Sequence, residues 1–175
     1  MQDYFQFYNI DRKFQIDKSA LRKQYILNNK KYHPDYHTLE SEDSQDEVLR
    51  LSTLNNEAYK VLTDDRKRIM HVLRLENAMP EEGKAQVPQA FLMEMMEVNE
   101  SLMDAKMSDD ASAIQNVADQ LNSLQEELKT RISQAMLSWD KASDMEHLNI
   151  VRDTYLKQQY LRRLQDQLKD RGPEI

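Results

Sequence analysis

Near its amino terminus the chain reads Lys18-Ser19-Ala20-Leu21-Arg22-Lys23-Gln24-Tyr25-Ile26-Leu27-Asn28-Asn29-Lys30-Lys31-Tyr32-His33-Pro34-Asp35. Five cations lie in this stretch, and no acidic residue occurs before Asp35. Pro34 lacks a backbone donor and disfavours helical geometry at the residue before it, so a helix that begins at Lys18 must end near Tyr32. The turn His33-Pro34-Asp35 then presents an imidazole and a carboxylate whose relative positions the proline ring restrains. Taken alone the tripeptide is only a motif hypothesis, because a proline stop with incidental neighbours has the same letters.

The predicted helix Lys18–Tyr32 has two unlike faces. Asp17 is the predicted N-cap, and one face carries Leu21, Tyr25 and Tyr32, which fall within about 40° of one another at roughly 100° per residue. The remaining surface carries the candidate binding cations, which are Arg22, Lys23, Lys30 and Lys31. An ordinary solvated face is the alternative, but cations without a single anion favour an acidic protein partner.

The distribution of proline and glycine predicts two domains. Apart from Pro34 and the tail pair Gly172-Pro173, every proline and glycine falls within Pro80–Pro88. Helix breakers concentrated in one stretch mark a boundary, so we divide the chain into a first domain at 1–78, a linker at 79–88 and a second domain at 89–175.

Helical periodicity runs through both predicted domains. In the first, a capping box at Ser44-x-x-Glu47 precedes one helix, and a shorter helix follows at Asp65–Leu75. In the second, three long helices are predicted: one over Gln89–Met107, one with an apolar series from Ile114 to Trp139, and one after a capping box at Ser143-x-x-Glu146. Long helices with short connections predict an all-α chain that ends in a three-helix bundle.

Composition excludes several classes of function. There are no cysteines, which rules out disulfides, thiolate chemistry and a self-ligated iron–sulfur cluster. We expect no cofactor and no metal, since Pro34 spoils the helical spacing of His33 and His37. No apolar run of about 18 residues and no signal peptide is present, so we expect no membrane partner and a cytoplasmic location. The net charge of −7 arises after residue 78, which argues against nucleic acid.

The first domain resembles a J-domain, the module that triggers ATP hydrolysis in DnaK-type chaperones. Leu21–Tyr25 and Lys30–Tyr32 look like its second helix, and His33-Pro34-Asp35 looks like its signature turn. Asn55–Asp64 looks like the third helix and Arg66–Leu73 like the fourth. The resemblance covers about 75 residues in the right order; one departure is a tyrosine at position 36, where many J-domains have lysine.

What the resemblance implies is regulation of another protein rather than enzymatic activity. The four cations would steer the domain onto an acidic patch of a DnaK/HscA-type chaperone, and His33, Pro34 and Asp35 would contact its switch. A hydrolase that uses His33 and Asp35 is the weaker alternative, because no nucleophile arrangement accompanies them. An adaptor that binds DNA or RNA through Lys18–Lys31 is another, and the acidic second domain speaks against it.

The second half resembles the HscB family, J-proteins dedicated to iron–sulfur cluster biogenesis. Phe91-Leu92-Met93-Glu94-Met95-Met96-Glu97-Val98-Asn99-Glu100 looks like the opening of that family's C-terminal domain, and Asp3-Tyr4-Phe5 with Phe7-Tyr8 looks like its amino terminus. The resemblance implies an L-shaped molecule, a monomer or weak dimer, whose bundle binds the scaffold protein IscU. The scaffold-binding residues it implies are Leu92, Met93, Met96, Glu97, Glu100 and Tyr160, where some members have phenylalanine. A J-protein with a different client is the alternative.

Overall fold

The computed structural model describes residues 1–80 and 87–170, with side chains described to Asp166. Over these ranges the chain contains helices and no strand, which confirms the predicted all-α class. A short 3-10 helix spans Pro34–Tyr36. The α-helices are α1 (Tyr4–Tyr8), α2 (Lys18–Lys31), α3 (Glu42–Thr63), α4 (Asp65–Leu75), α5 (Gln89–Met107), α6 (Ala111–Ala142) and α7 (Met145–Asp170).

The chain divides into two compact units, Met1–Asn77 and Ala78–Ile175. Residues 81–86 of the predicted linker and residues 171–175 of the predicted second domain lie outside the described residues. The domain limits at 78 and 89 therefore stay predictions. Within the described ranges, no helix is both long enough and apolar enough to cross a membrane.

In the first unit α2 and α3 form an antiparallel pair. Tyr25 stacks on Tyr59 with ring centroids 4.1 Å apart, while Asn28, farther along α2, reaches back to Asn55. Helices α1 and α4 pack on the same core as α2 and α3, because the largest buried side chains come from all four helices and from the segment between α1 and α2. They are Phe5, Phe14, Leu21, Leu62 and Leu73.

A buried amide lies at the centre of this pair. Asn55 is 0% exposed, and its Oδ1 accepts from the hydroxyl of Tyr8 at 2.8 Å and from Nδ2 of Asn28 at 3.2 Å. Its Nδ2 donates to the Tyr25 carbonyl at 3.2 Å and to Oδ1 of Asn29 at 2.8 Å. Buried polar groups are costly unless paired, and this one is paired on all sides. The network therefore fixes the register of α1, α2 and α3.

In the second unit α6 packs against both α5 and α7. The stripe predicted for α6 is confirmed, with Val117, Leu121, Leu128, Ile132, Ala135 and Trp139 buried. Leu148, Val151, Tyr155 and Leu161 of α7 are buried as well. The apolar spacing of α7 predicts a further core position at Leu168, whose side chain lies outside the described residues.

Both predicted capping boxes are wrong. Helix α3 begins earlier, at Glu42, because the hydroxyl of Ser41 caps it by accepting from the amide of Ser44. The residue predicted to open α7, Ser143, instead ends α6 in a left-handed conformation at φ 50°. The side chain of Asp144 accepts from the His147 amide at 2.9 Å and caps α7 in its place. Serine and aspartate are about equally good caps. The path of the surrounding chain therefore decided that Ser41 rather than Ser44 caps α3, and that Asp144 rather than Ser143 caps α7.

Candidate functional sites

The turn His33-Pro34-Asp35 forms an exposed corner directly after α2. The side chains of His33 and Asp35 are 51% and 83% exposed, and Pro34 begins the 3-10 helix that follows. Nδ1 of His33 accepts from the Asp35 amide at 3.3 Å, so a neutral ring carries its proton on Nε2. The corner thus offers an imidazole N–H donor and a carboxylate acceptor to a visiting protein.

The loop after the corner is fastened to both neighbouring helices through His37. Its Nε2 lies 2.8 Å from the carbonyl of Lys31, at the end of α2, and its Nδ1 lies 2.8 Å from Glu40. The hydroxyl of Ser44 in α3 also donates to Glu40. The hydrogen bond to the Lys31 carbonyl, and then the one to Glu40, raises the pKa of His37. Through these bonds both α2 and α3 position the corner.

The four predicted cations of α2 are all exposed. In the part of the chain that the structure describes, Arg22, Lys23 and Lys30 have no carboxylate within 4.0 Å. The ammonium group of Lys31 lies 5.2 Å from the ring of Tyr32. A fifth cation of the same helix, Lys18, pairs with Asp65 at 2.7 Å. We call the four residues Arg22, Lys23, Lys30 and Lys31 the cationic face of α2; its charges remain available to a partner.

The predicted scaffold-binding residues of α5 lie beside its buried face. Met93 and Met96 are 58% and 60% exposed, Leu92 is half-buried, and Glu97 and Glu100 are exposed. We call these five residues the α5 surface. The remaining methionine of the cluster, Met95, is 1% exposed and belongs to the core with Phe91 and Val98.

Tyr160 of α7 is half-buried and lies next to the beginning of α5. Its ring meets the ring of Phe91 edge-on, with centroids 6.0 Å apart, and the guanidinium of Arg163 lies 6.0 Å from the Tyr160 ring. The ammonium group of Lys157 lies 5.2 Å from the Phe91 ring. The bundle therefore brings Tyr160 to the residue that precedes Leu92, while part of its ring is already used in packing.

Sequence reasoning missed four exposed apolar side chains. Met103 and Met107 are 55% and 84% exposed and lie seven and eleven residues after Met96, on the same side of α5. Ile26 and Leu27 are 45% and 59% exposed and lie among the cations of α2. Helical spacing relative to the buried stripe would have revealed both pairs.

Comparison with known proteins places these sites in a family context. The model of the family described as "HSCB C-terminal oligomerisation domain" matches residues 87–169. Human "Iron-sulfur cluster co-chaperone protein HscB" is 27% identical over 96% of this chain and 68% of its own length. A "Co-chaperone protein HscB homolog" from Ralstonia nicotianae is 33% identical over 65% of each chain. The mouse protein of the same name is 30% identical over 86% of this chain and 64% of its own length. The chain thus spans about two thirds of the length of these curated relatives.

Two solved structures share the fold. The crystal structure of human HscB superposes with a TM-score of 0.67 and 25% identity, covering 97% of this chain and 81% of that chain. HscB from Vibrio cholerae superposes with a TM-score of 0.56 and 21% identity, and the match covers 95% of this chain and 99% of the Vibrio chain. The predicted architecture of a J-domain followed by a helical bundle is confirmed by these matches.

Proposed function

Because this chain is an HscB-type J-protein, we propose that it stimulates ATP hydrolysis by a DnaK/HscA-type chaperone and delivers the iron–sulfur scaffold IscU to it. The first unit acts on the chaperone and the second holds the scaffold. The chain itself catalyses no reaction in this proposal. The observation that carries it is the exposed corner of His33, Pro34 and Asp35 at the end of a helix with a cationic face.

The chaperone contact is supported by the chemistry of the first unit. The cations of this face that have no acidic partner among the described residues attract an acidic surface over about 8–10 Å at physiological ionic strength. The corner follows α2 directly and is fastened by His37, so it arrives at the chaperone with little conformational freedom left to lose. Long-range steering therefore brings a pre-positioned imidazole and carboxylate to the switch.

Scaffold binding is supported by the exposed side chains of the α5 surface. Burying Leu92, Met93 and Met96 contributes roughly 4–8 kcal/mol before association costs, and micromolar affinity requires about 8 kcal/mol. Leu92 is already half-buried, so the lower end of that range applies. Glu97 and Glu100 must add charge pairs with basic residues of the scaffold to reach a micromolar complex. Binding of this strength is reversible and suits a delivery factor.

The chaperone claim is tested by single-turnover ATP hydrolysis. The purified chain is expected to accelerate hydrolysis by a DnaK/HscA-type chaperone, and IscU is expected to increase that acceleration synergistically. His33→Gln removes the imidazole from the corner and is expected to abolish stimulation. His147→Gln makes the same change in the second unit and serves as the matched control. Normal stimulation by His33→Gln refutes a J-domain mechanism for this chain.

The scaffold claim is tested by titration of labelled IscU. The triple variant L92A/M93A/M96A is expected to weaken binding on the order of a hundredfold, since each truncation removes about 1 kcal/mol of apolar burial. Leu137 and Met145 are exposed to similar extents, 49% and 59%, on α6 and α7, so L137A/M145A is the control. Unchanged IscU binding by the triple variant refutes the α5 surface as the binding site. Absence of IscU binding by the wild-type chain, with chaperone stimulation intact, favours the alternative of a J-domain co-chaperone with a different client.

The oligomeric state is a separate part of the proposal. We expect a monomer or a weak dimer, and sedimentation velocity across the concentrations used in the titrations measures it directly. A tight dimer contradicts that expectation.

A further inference from the structure

Two aliphatic side chains occupy the centre of the cationic face of α2. Ile26 and Leu27 are 45% and 59% exposed, although α2 already packs against α3 with Leu21 and Asn28 buried and Tyr25 stacked on Tyr59. Residues three and four apart are neighbours on a helix surface. Ile26 is therefore a neighbour of Arg22, Lys23 and Lys30.

The same geometry surrounds the second aliphatic residue. Leu27 is a neighbour of Lys23, Lys30 and Lys31, so each of the four cations adjoins at least one member of the pair. Ile26 and Leu27 belong to the exposed surface of α2 in the folded unit, and isoleucine is not a favoured helix former. Folding alone gives no reason for an aliphatic pair inside a ring of charge.

We propose that Ile26 and Leu27 form an apolar centre of the chaperone-binding surface, and that the chaperone presents an exposed apolar patch surrounded by carboxylates. This inference rests on the proposed function and names the partner chemistry of the same site. Charge complementarity identifies the occupant, because Arg22, Lys23 and Lys30 have no carboxylate within 4.0 Å among the residues of the first unit, Met1–Asn77. Interfaces commonly combine an apolar centre with a charged rim.

The two kinds of contact respond differently to salt. Rim charges act mainly on encounter and are screened by ions, whereas apolar burial persists at high ionic strength. The pair should therefore supply the part of the affinity that survives at high salt. Docking by charge alone would instead be lost as the ionic strength rises.

The experiment measures the concentration of full-length chain that gives half-maximal single-turnover stimulation of a purified DnaK/HscA-type chaperone, at low and high salt. I26Q/L27Q is expected to raise that concentration roughly tenfold at both salts, with the salt dependence unchanged. K23Q/K30Q is expected to flatten the salt dependence. The matched control is Leu49→Gln on α3, where the side chain is 58% exposed and lines a groove to which no residue of α2 contributes; it should behave as wild type.

Separate outcomes identify which idea fails. If I26Q/L27Q stimulates hydrolysis as strongly as the wild-type chain and at the same half-maximal concentration, this inference is overturned and the proposed function stands. Absence of stimulation by the wild-type chain overturns the proposed function itself. Sedimentation of I26Q/L27Q tests a second copy as the occupant: loss of self-association without a change in stimulation also overturns the inference. Circular dichroism of each variant verifies that the total helix content equals that of the wild-type chain.

Discussion

Replacing Asn55 by leucine should loosen the helix pair that positions the corner. The change keeps the approximate size of the side chain and removes the amide that bonds to Tyr8, Asn28, Asn29 and the Tyr25 carbonyl. The Tyr8 hydroxyl keeps one partner, since it also donates to the Asn55 carbonyl at 2.9 Å. Asn29 is only partly buried and can turn to water.

The buried amide of Asn28 therefore dominates the cost. Asn28 is 7% exposed, and a buried donor without a partner costs about 1–3 kcal/mol. With the weakened Tyr8 and Asn29 contacts, and a partial offset from the added apolar group, the loss is about 2–4 kcal/mol. A domain is stable by only ~5–15 kcal/mol, so the effect on the first unit is large.

Amide hydrogen exchange read by mass spectrometry separates this effect from the rest of the molecule. Exchange in α2 and α3 should accelerate about 30- to 1,000-fold, which is that free energy at tenfold per 1.4 kcal/mol. Exchange in α6 of the second unit should not change. The control Asn56→Leu alters an exposed amide that accepts from the Tyr25 hydroxyl at 2.9 Å and should cost less than about 1 kcal/mol. A loss below about 1 kcal/mol for Asn55→Leu refutes the assigned role of the network.

Two further predictions concern pH and packing. Burial lowers the pKa of His71, whose Nε2 accepts from the Tyr4 amide at 3.3 Å, so its contribution to stability is present above about pH 6.5 and is lost as the pH falls towards its lowered folded value. The melting temperature of the first unit should fall from pH 7.5 to 5.5, and this loss should disappear in His71→Phe. The loss should grow in His37→Gln, because the raised pKa of His37 makes the wild-type imidazole stabilise the unit as the pH falls. An unchanged pH response of His71→Phe contradicts the assignment. Leu161→Ala, at 1% exposure, should destabilise the second unit by about 2–5 kcal/mol in urea unfolding followed by the fluorescence of Trp139, and a shift below 1 kcal/mol argues against its place in the core.

Local rules predicted most helices correctly because those helices follow from short-range periodicity. The bounds Gln89–Met107 and Asp65–Leu75 agree with the structure, since proline, N-caps and apolar spacing all act within a turn or two. The same local rules failed at Ser44 and Ser143. Neighbouring residues there cap about as well, and a free-energy difference below about 1 kcal/mol depends on the path of the surrounding chain.

Burial of individual residues was less accessible to sequence reasoning. Met93, Met95 and Met96 share one side-chain chemistry, but only Met95 lies on the face that α6 covers. Asn55 reads as an ordinary polar position of α3 and becomes the most enclosed amide of the first unit only when α1 and α2 arrive. Both outcomes depend on contacts between residues far apart in the chain.

By itself the sequence determined the helical class, the restrained corner at Pro34 and the excess of cations before it, because each follows from covalent geometry, helical periodicity or charge within a short segment. Tertiary structure alone decided that Asn55 joins three helices, that His37 fastens the loop after the corner, and that Ile26 and Leu27 remain uncovered among the cations. Those properties arise from which faces meet when the helices pack, and packing pairs residues whose separation along the chain no local pattern encodes.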